Sequence, residues 1–292
     1  MTAPSPSPSA ASLPGTVGVL GGGRMGAGIA HAFLLGGADV LVVERDAAAA
    51  AAARERVTRS THASQERGLL AGSVEGALAR LRVSVDAADF ADRRLVVEAV
   101  PEDRALKVAA LQRAESHLRP DAVLASNTSS LSVTDLASAL QRPENFLGLH
   151  FFNPVPASDL IEVVVGERTG AELVDAARAW TEALGKIAVV VRDAPGFASS
   201  RLGVAIALEA IRMVEEGVAA PEDIDNAMVL GYRHPTGPLR TTDLVGLDVR
   251  LGIAEHLAST LGPRFEPPQL LRDKVARGEL GRKSGSGFFG WS

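Results

Sequence analysis

Three glycines, Gly21, Gly23 and Gly26, stand between an apolar run at 17–20 and a segment of helical period, and this placement constrains the fold more than any other feature of the chain. The spacing is G-x-G-x-x-G. Each position has its own requirement. Gly21 permits a tight turn after a strand, Gly23 lets a pyrophosphate come up against the backbone, and Gly26 lets the helix pack closely on the strand. With Met25 they make the candidate cofactor loop. The helix that opens there offers unpaired N–H groups and the positive end of its dipole to the phosphates. An acidic residue, Glu44, closes the next apolar run at 40–43. A carboxylate at that point accepts both hydroxyls of an adenosine ribose and repels a 2′-phosphate, which favours NAD over NADP. Arg45 would act the other way if it turned toward a phosphate.

The rest of the chain continues the alternation that the glycines begin. Short β-branched runs at 17–20, 40–43, 95–100, 123–126 and 146–150 read as buried strands. Segments of helical period at 25–35, 47–66, 105–118 and 133–140 separate them. Such a pattern predicts a parallel sheet with helices on both faces. Two further strands are expected at 161–165 and 188–191, with a helix at 171–184 between them. Beyond 193–196 the texture is helical only, at 197–216, 221–230, 239–261 and 269–277. The fold class is therefore α/β, a Rossmann-type doubly wound sheet followed by an all-helical C-terminal domain. The expected organisation is a loose Pro- and Ser-rich tail at 1–15, a dinucleotide-binding domain at 16–194 and a helical domain at 195–292. The helix at 197–216 is apolar on most of its circumference, and a domain of that size cannot cover it alone. A homodimer is the expectation.

Composition serves mainly to exclude. A formal net charge of −5 and the lack of any basic run argue against a nucleic-acid surface. With no cysteine, there is no disulfide, thiolate nucleophile or cysteine-ligated metal. The first fifteen residues have neither the charged nor the apolar region of a signal peptide. No apolar stretch approaches the ~20 residues that cross a bilayer, so a cytoplasmic protein without a membrane partner is expected.

Polar residues gather where an open sheet binds its ligands, at the carboxyl ends of the strands. Ser129 lies just after the strand at 123–126, His150 ends the next, and Glu162 follows in the run at 160–165. A histidine beside a carboxylate can act as a general base near neutral pH, the carboxylate fixing its tautomer and steadying the imidazolium. A histidine within an apolar strand can equally be a satisfied core residue.

Seven strings settle between these readings: GGGRMGAGIA, VVEAVPED, ASNTSSLSV, GLHFFNPVP, DAPGF, HPTGPLRTTDLVGLD and LGRKSGSGFF, in that order. On them the chain resembles the short-chain L-3-hydroxyacyl-CoA dehydrogenases, including the bacterial 3-hydroxybutyryl-CoA dehydrogenases, from about Thr16 to Trp291. The resemblance implies NAD as cofactor and an acyl-CoA thioester as substrate. It implies His150 as general base, Glu162 as its orienting carboxylate and Ser129 as a hydrogen-bond partner of the reacting oxygen. It further implies that Glu102, Lys107, Asn153 and Lys283 contact NAD, and that Ser60 and Arg67 contact coenzyme A. An arginine replaces the usual lysine at 67.

Two positions depart from the family pattern. Ser200 stands where an asparagine amide usually helps hold the substrate, and a hydroxyl offers one donor where the amide has two. Asp159 stands where a basic residue is common. These changes leave room for a related reaction on a hydroxyacyl group tethered to acyl carrier protein, as in polyketide extender-unit synthesis. A dinucleotide-binding protein without catalysis would need none of Ser129, His150 and Glu162.

Overall fold

The computed structural model of the protein describes residues 12–291. Contacts divide the chain into two compact units, one ending at Asp193 and the other beginning at Ala194. Most of the 1–15 tail lies outside the described residues. Its last part is ordered: Pro14 is buried and Leu13 packs against the first unit's core, so the α/β unit begins before residue 16.

The first unit carries one eight-stranded sheet. Its strands are β1 (Thr16–Leu20), β2 (Asp39–Val43), β3 (Leu81–Ser84), β4 (Leu95–Glu98), β5 (Val123–Ser126), β6 (Phe146–Phe151), β7 (Leu160–Val165) and β8 (Ile187–Arg192). They lie in the order β3-β2-β1-β4-β5-β6-β7-β8. The order turns back at β1, where a doubly wound sheet opens a crevice at its carboxyl edge. The helices of this unit are α1 (Arg24–Leu35), α2 (Ala47–Glu66), α3 (Val74–Leu78), α4 (Arg104–Glu115), α5 (Val133–Ser138) and α6 (Ala171–Ala183). Four are started by side chains that accept from the first-turn backbone: Asp46 from Ala49, Ser73 from Gly76, Asp103 from Leu106 and Ser132 from Asp135. Val17, Val19, Ile29, Phe33, Val40, Val42 and Leu95 are among the buried side chains that close α1 and α2 over the sheet.

Two features differ from the sequence expectation. The strand β3 and the short helix α3 add to the elements that the apolar periodicity predicts. The sheet is also not wholly parallel: β7 runs antiparallel to β6, while β8 is parallel to β7. The link at 152–159 explains this, because a parallel crossover needs about a dozen residues or more. The reversal sets His150 directly opposite Glu162 in the register.

The second unit is helical: α7 (Ser199–Glu215), α8 (Pro221–Gly231), α9 (Pro238–Val245), α10 (Leu247–Leu261) and α11 (Gln269–Ala276). Its core includes Val204, Leu208, Ile211, Leu239, Leu247, Leu257 and Leu271. The single helix expected at 239–261 is two, broken at Gly246, whose φ of 106° is a conformation that glycine alone adopts readily. Asp243 holds the end of the chain onto this unit. Its carboxylate accepts from the backbone N–H groups of Phe288 and Phe289 and from the Trp291 indole. No helix among the described residues is long and apolar enough to cross a membrane.

Candidate active site

The glycine loop forms as its spacing requires. Gly21 has φ 93° and donates to the Val43 carbonyl at 2.8 Å, which ties the loop to β2. A Cβ on Gly26 would lie 1.8 Å from the Gly21 carbonyl oxygen, so the first turn of α1 admits no side chain there. Gly23, at the N-cap of α1, faces open space, which is what a bound pyrophosphate needs. Gly22 proves equally constrained, since its Cβ would meet the Ala53 methyl at 2.4 Å. Its N–H donates to Glu44 Oε1 at 2.6 Å, so the carboxylate at the end of β2 is already turned to the loop. Arg45 is directed elsewhere, onto Asp46 at 3.0 Å.

A cavity of about 1060 Å³ opens along the carboxyl edge of the sheet in this unit. Gly21, Gly23, Met25, Glu44, Glu102, Lys107, Ser129, His150 and Asn153 all line it. The open glycine cradle, the acidic residue at the tip of β2 and this volume suit an adenine dinucleotide. Ser60 and Arg67 do not line the cavity. They lie two turns apart, Ser60 on α2 and Arg67 at its C-cap. Ser200, in the first turn of α7, and Lys283 belong to the helical unit, where Lys283 donates to both oxygens of Asp248 at 2.6 Å. Asp159, just before β7, is exposed.

His150 is 6% exposed, and its Nδ1 lies 2.7 Å from Oε2 of the fully buried Glu162. The two are cross-strand neighbours, so the contact is fixed by backbone register as well as by side-chain rotamers. The Phe152 ring packs against the imidazole with centroids 4.4 Å apart. Asn127 Oδ1 accepts from the Phe151 N–H at 2.8 Å and so joins the loop after β5 to the end of β6.

Ser129 is held by Glu102. One carboxylate oxygen accepts from the Ser129 and Ser130 N–H groups at 2.8 and 3.0 Å and from the Thr128 hydroxyl at 2.6 Å. Its other oxygen is 3.2 Å from the Lys107 ammonium. Burial by itself would raise the Glu102 carboxyl, but Lys107 and these donors more than offset it and hold it below the usual range. Lys107 is itself buried and donates at 2.8 Å to Glu98, at the end of β4. Glu98 also accepts from Ser126 Oγ at 2.6 Å and Val100 N–H at 2.7 Å. Burial pushes its carboxyl up, and Lys107 draws it back. Glu98 does not stand out in the sequence, and Asn127 does so only as a member of the polar run that follows β5. The available signal was an acid closing an apolar strand, with a lysine nine residues on in the following helix.

A glycine loop, an acidic strand tip and a His–carboxylate pair at the carboxyl edge of a doubly wound sheet define an NAD-dependent oxidoreductase. A family model described as the NAD binding domain of 3-hydroxyacyl-CoA dehydrogenase matches residues 16–194, and one for the C-terminal domain matches 196–291. The chain belongs to the 3-hydroxyacyl-CoA dehydrogenase family. It is 45% identical to a 3-hydroxybutyryl-CoA dehydrogenase of Mycobacterium tuberculosis, over 94% of this chain and 97% of that one. A probable 3-hydroxybutyryl-CoA dehydrogenase of Deinococcus radiodurans is 42% identical over 93% and 98%. The crystal structure of an (S)-3-hydroxybutyryl-CoA dehydrogenase from Ralstonia eutropha superposes with a TM-score of 0.92 at 37% identity, covering 96% of this chain and all of that one.

Proposed function

We propose that the chain oxidises the 3-hydroxyl of a short-chain 3-hydroxyacyl-CoA, of the 3-hydroxybutyryl-CoA type, to the 3-oxoacyl thioester. The observation that carries this reading is the 2.7 Å contact of His150 Nδ1 with Glu162, at the wall of the cavity that the glycine loop also lines. The buried carboxylate takes the Nδ1 proton in hydrogen bond, which leaves Nε2 as the basic nitrogen. Nε2 accepts the proton of the 3-hydroxyl as the C3–H bond breaks, and Glu162 stabilises the imidazolium that results. Bound NAD supplies the hydride acceptor. The Ser129 hydroxyl donates to the reacting oxygen, on a loop that Glu102 fixes through the Ser129 N–H.

In the same reading Gly21, Gly23, Met25 and Gly26 hold the pyrophosphate region and Glu44 the adenosine ribose. Glu102, Lys107, Asn153 and Lys283 complete the cofactor contacts. Ser60 and Arg67 take coenzyme A, and Ser200 contributes to holding the acyl group. The names carried by the relatives support the substrate class. Ser200 and Asp159 favour, as a second reading, the same chemistry on a carrier-protein thioester.

Purified protein given NAD and 3-hydroxybutyryl-CoA should form NADH, followed by its near-ultraviolet absorbance. The same acyl group on a carrier protein should react more slowly. Turnover on the carrier protein alone would replace the coenzyme A reading, and no NADH from either thioester would end both.

We also propose a homodimer formed through the helical unit. Leu202, Val218, Leu230 and Tyr232 are all more than half exposed there and offer apolar area that a second copy would cover.

A further inference from the structure

The cavity of the first unit carries more cations than the proposed reaction employs. Arg24, Arg45, Arg56, Lys107 and Arg113 all line it. Two of them are taken by carboxylates, Arg45 by Asp46 at 3.0 Å and Lys107 by Glu98 and Glu102 at 2.8 and 3.2 Å. Arg113 stands in the last turn of α4, where a cation suits the negative end of the helix dipole. Arg24 and Arg56 have no such local reason. Both are exposed, and among the described residues no carboxylate pairs with either. Even Glu55, next to Arg56, is paired with Arg59 at 2.7 Å.

Their places in the fold bring both to the glycine loop. Arg24 opens α1 directly after Gly23, and the first turn of that helix holds no acidic residue. A cation there faces the positive end of the helix dipole, which is locally unfavourable unless an anion joins them. Arg56 comes from α2. Ala49, Ala52 and Arg56 recur on one face of that helix and line the cavity together. The helix packs on the loop at Ala53, whose methyl stands 2.4 Å from where a Cβ on Gly22 would lie. Arg56, three residues on, donates from Nη1 to the Gly22 carbonyl at 3.2 Å. One N–H thus anchors the guanidinium while the rest of its fork stays open. Gly23, the residue between Gly22 and Arg24, has open space before it.

We propose that Arg24 and Arg56 form a cationic clamp on the diphosphate bridge of an adenosine nucleotide seated at the glycine loop. The N–H groups of the loop orient the phosphates, and the arginines supply the charge that an ionised diphosphate requires. A guanidinium fork takes two phosphate oxygens at once, so the pair recognises the bridge and not the sugars or bases at its ends. NAD carries such a bridge, and so does coenzyme A. The place of Arg24 beside Gly23 favours the dinucleotide. The clamp does not depend on which acyl group is oxidised.

Calorimetry with ADP-ribose and with adenosine separates the bridge from the sugar and base. Arg24→Gln and Arg56→Gln should each weaken ADP-ribose binding by roughly threefold to thirtyfold, with adenosine affinity changed by less than about twofold. Arg24→Lys and Arg56→Lys should keep part of the affinity, since the charge remains. Raising the salt from about 0.05 to about 0.5 M should weaken ADP-ribose binding more in the unmodified protein than in Arg24→Gln/Arg56→Gln. Coenzyme A titrated into the same proteins identifies the source of the bridge. A loss for ADP-ribose alone assigns the clamp to the cofactor, a loss for coenzyme A alone assigns it to the thioester substrate, and a loss for both assigns it to each in turn. Variants that bind ADP-ribose and coenzyme A as tightly as the unmodified protein overturn the clamp and leave the phosphates to the N–H groups of the loop. So does an equal loss for adenosine, which would mean that the substitutions disturb the loop itself.

Discussion

Glu44 and His31 show how differently single residues can be read. The position of Glu44 was legible, because an acid closing the second strand after a glycine loop stands at that loop, and its carboxylate does reach it. Replacing it with glutamine should lower the ratio of kcat/KM for NAD over NADP by roughly tenfold, since the repulsion of a 2′-phosphate is lost. An unchanged ratio would assign cofactor choice to Arg45. His31, by contrast, gave no signal within the Ala-rich helix α1. It is 1% exposed, its Nε2 is 3.1 Å from Ser64 Oγ, and burial lowers its pKa from 6.5 to about 4. The unfolded chain therefore takes up a proton below pH 6.5 that the folded chain refuses until about 4. Stability present above that window is lost as pH falls through it, by up to about 3 kcal/mol. Urea unfolding at about pH 7 and about pH 5 should show a smaller fall for His31→Gln than for the unmodified protein. Equal falls would mean that other groups govern acid sensitivity.

At the scale of elements, the central strands and long helices could be read from periodicity, while direction and breaks could not. The pattern of apolar residues in β7 is the same whichever way the strand runs, and only the short link at 152–159 spoke for the antiparallel pairing that brings Glu162 to His150. The edge strand β3 escaped because Arg82 and Ser84 dilute its apolar pattern, and it pairs with β2 alone. Gly246 sits within an otherwise helical period, and only its backbone conformation reveals the break between α9 and α10. The Glu98–Lys107 contact joins β4 to α4 under the cofactor cavity, with both side chains at most 1% exposed. Lys107→Met should destabilise the protein by about 3–5 kcal/mol, because it strands a buried carboxylate. The double variant Glu98→Leu/Lys107→Met should recover much of that loss in chemical denaturation. A single variant as stable as the unmodified chain would show that water already reaches Glu98.

For the whole molecule, the apolar helix at 197–216 was expected to be covered on several sides. In α7 the buried residues are Val204, Ala207, Leu208, Ala210 and Ile211, while Leu202 is 63% exposed. A second copy covering that surface is the physical reason to expect a dimer. Light scattering at micromolar concentration should give twice the mass of one chain, and Leu202→Glu should shift it toward the monomer. A monomer from the unmodified protein would leave those side chains to another partner. With no cysteine in the chain, thiol chemistry was excluded at this scale.

The central claim is that His150, held by Glu162, removes the proton from a 3-hydroxyl. It is tested most directly by steady-state turnover of 3-hydroxybutyryl-CoA with NAD in His150→Ala, together with NAD binding to the same variant measured by calorimetry. The expected result is a kcat lower by about 10²–10⁴ with NAD affinity nearly unchanged. A variant that retains the unmodified kcat would contradict it.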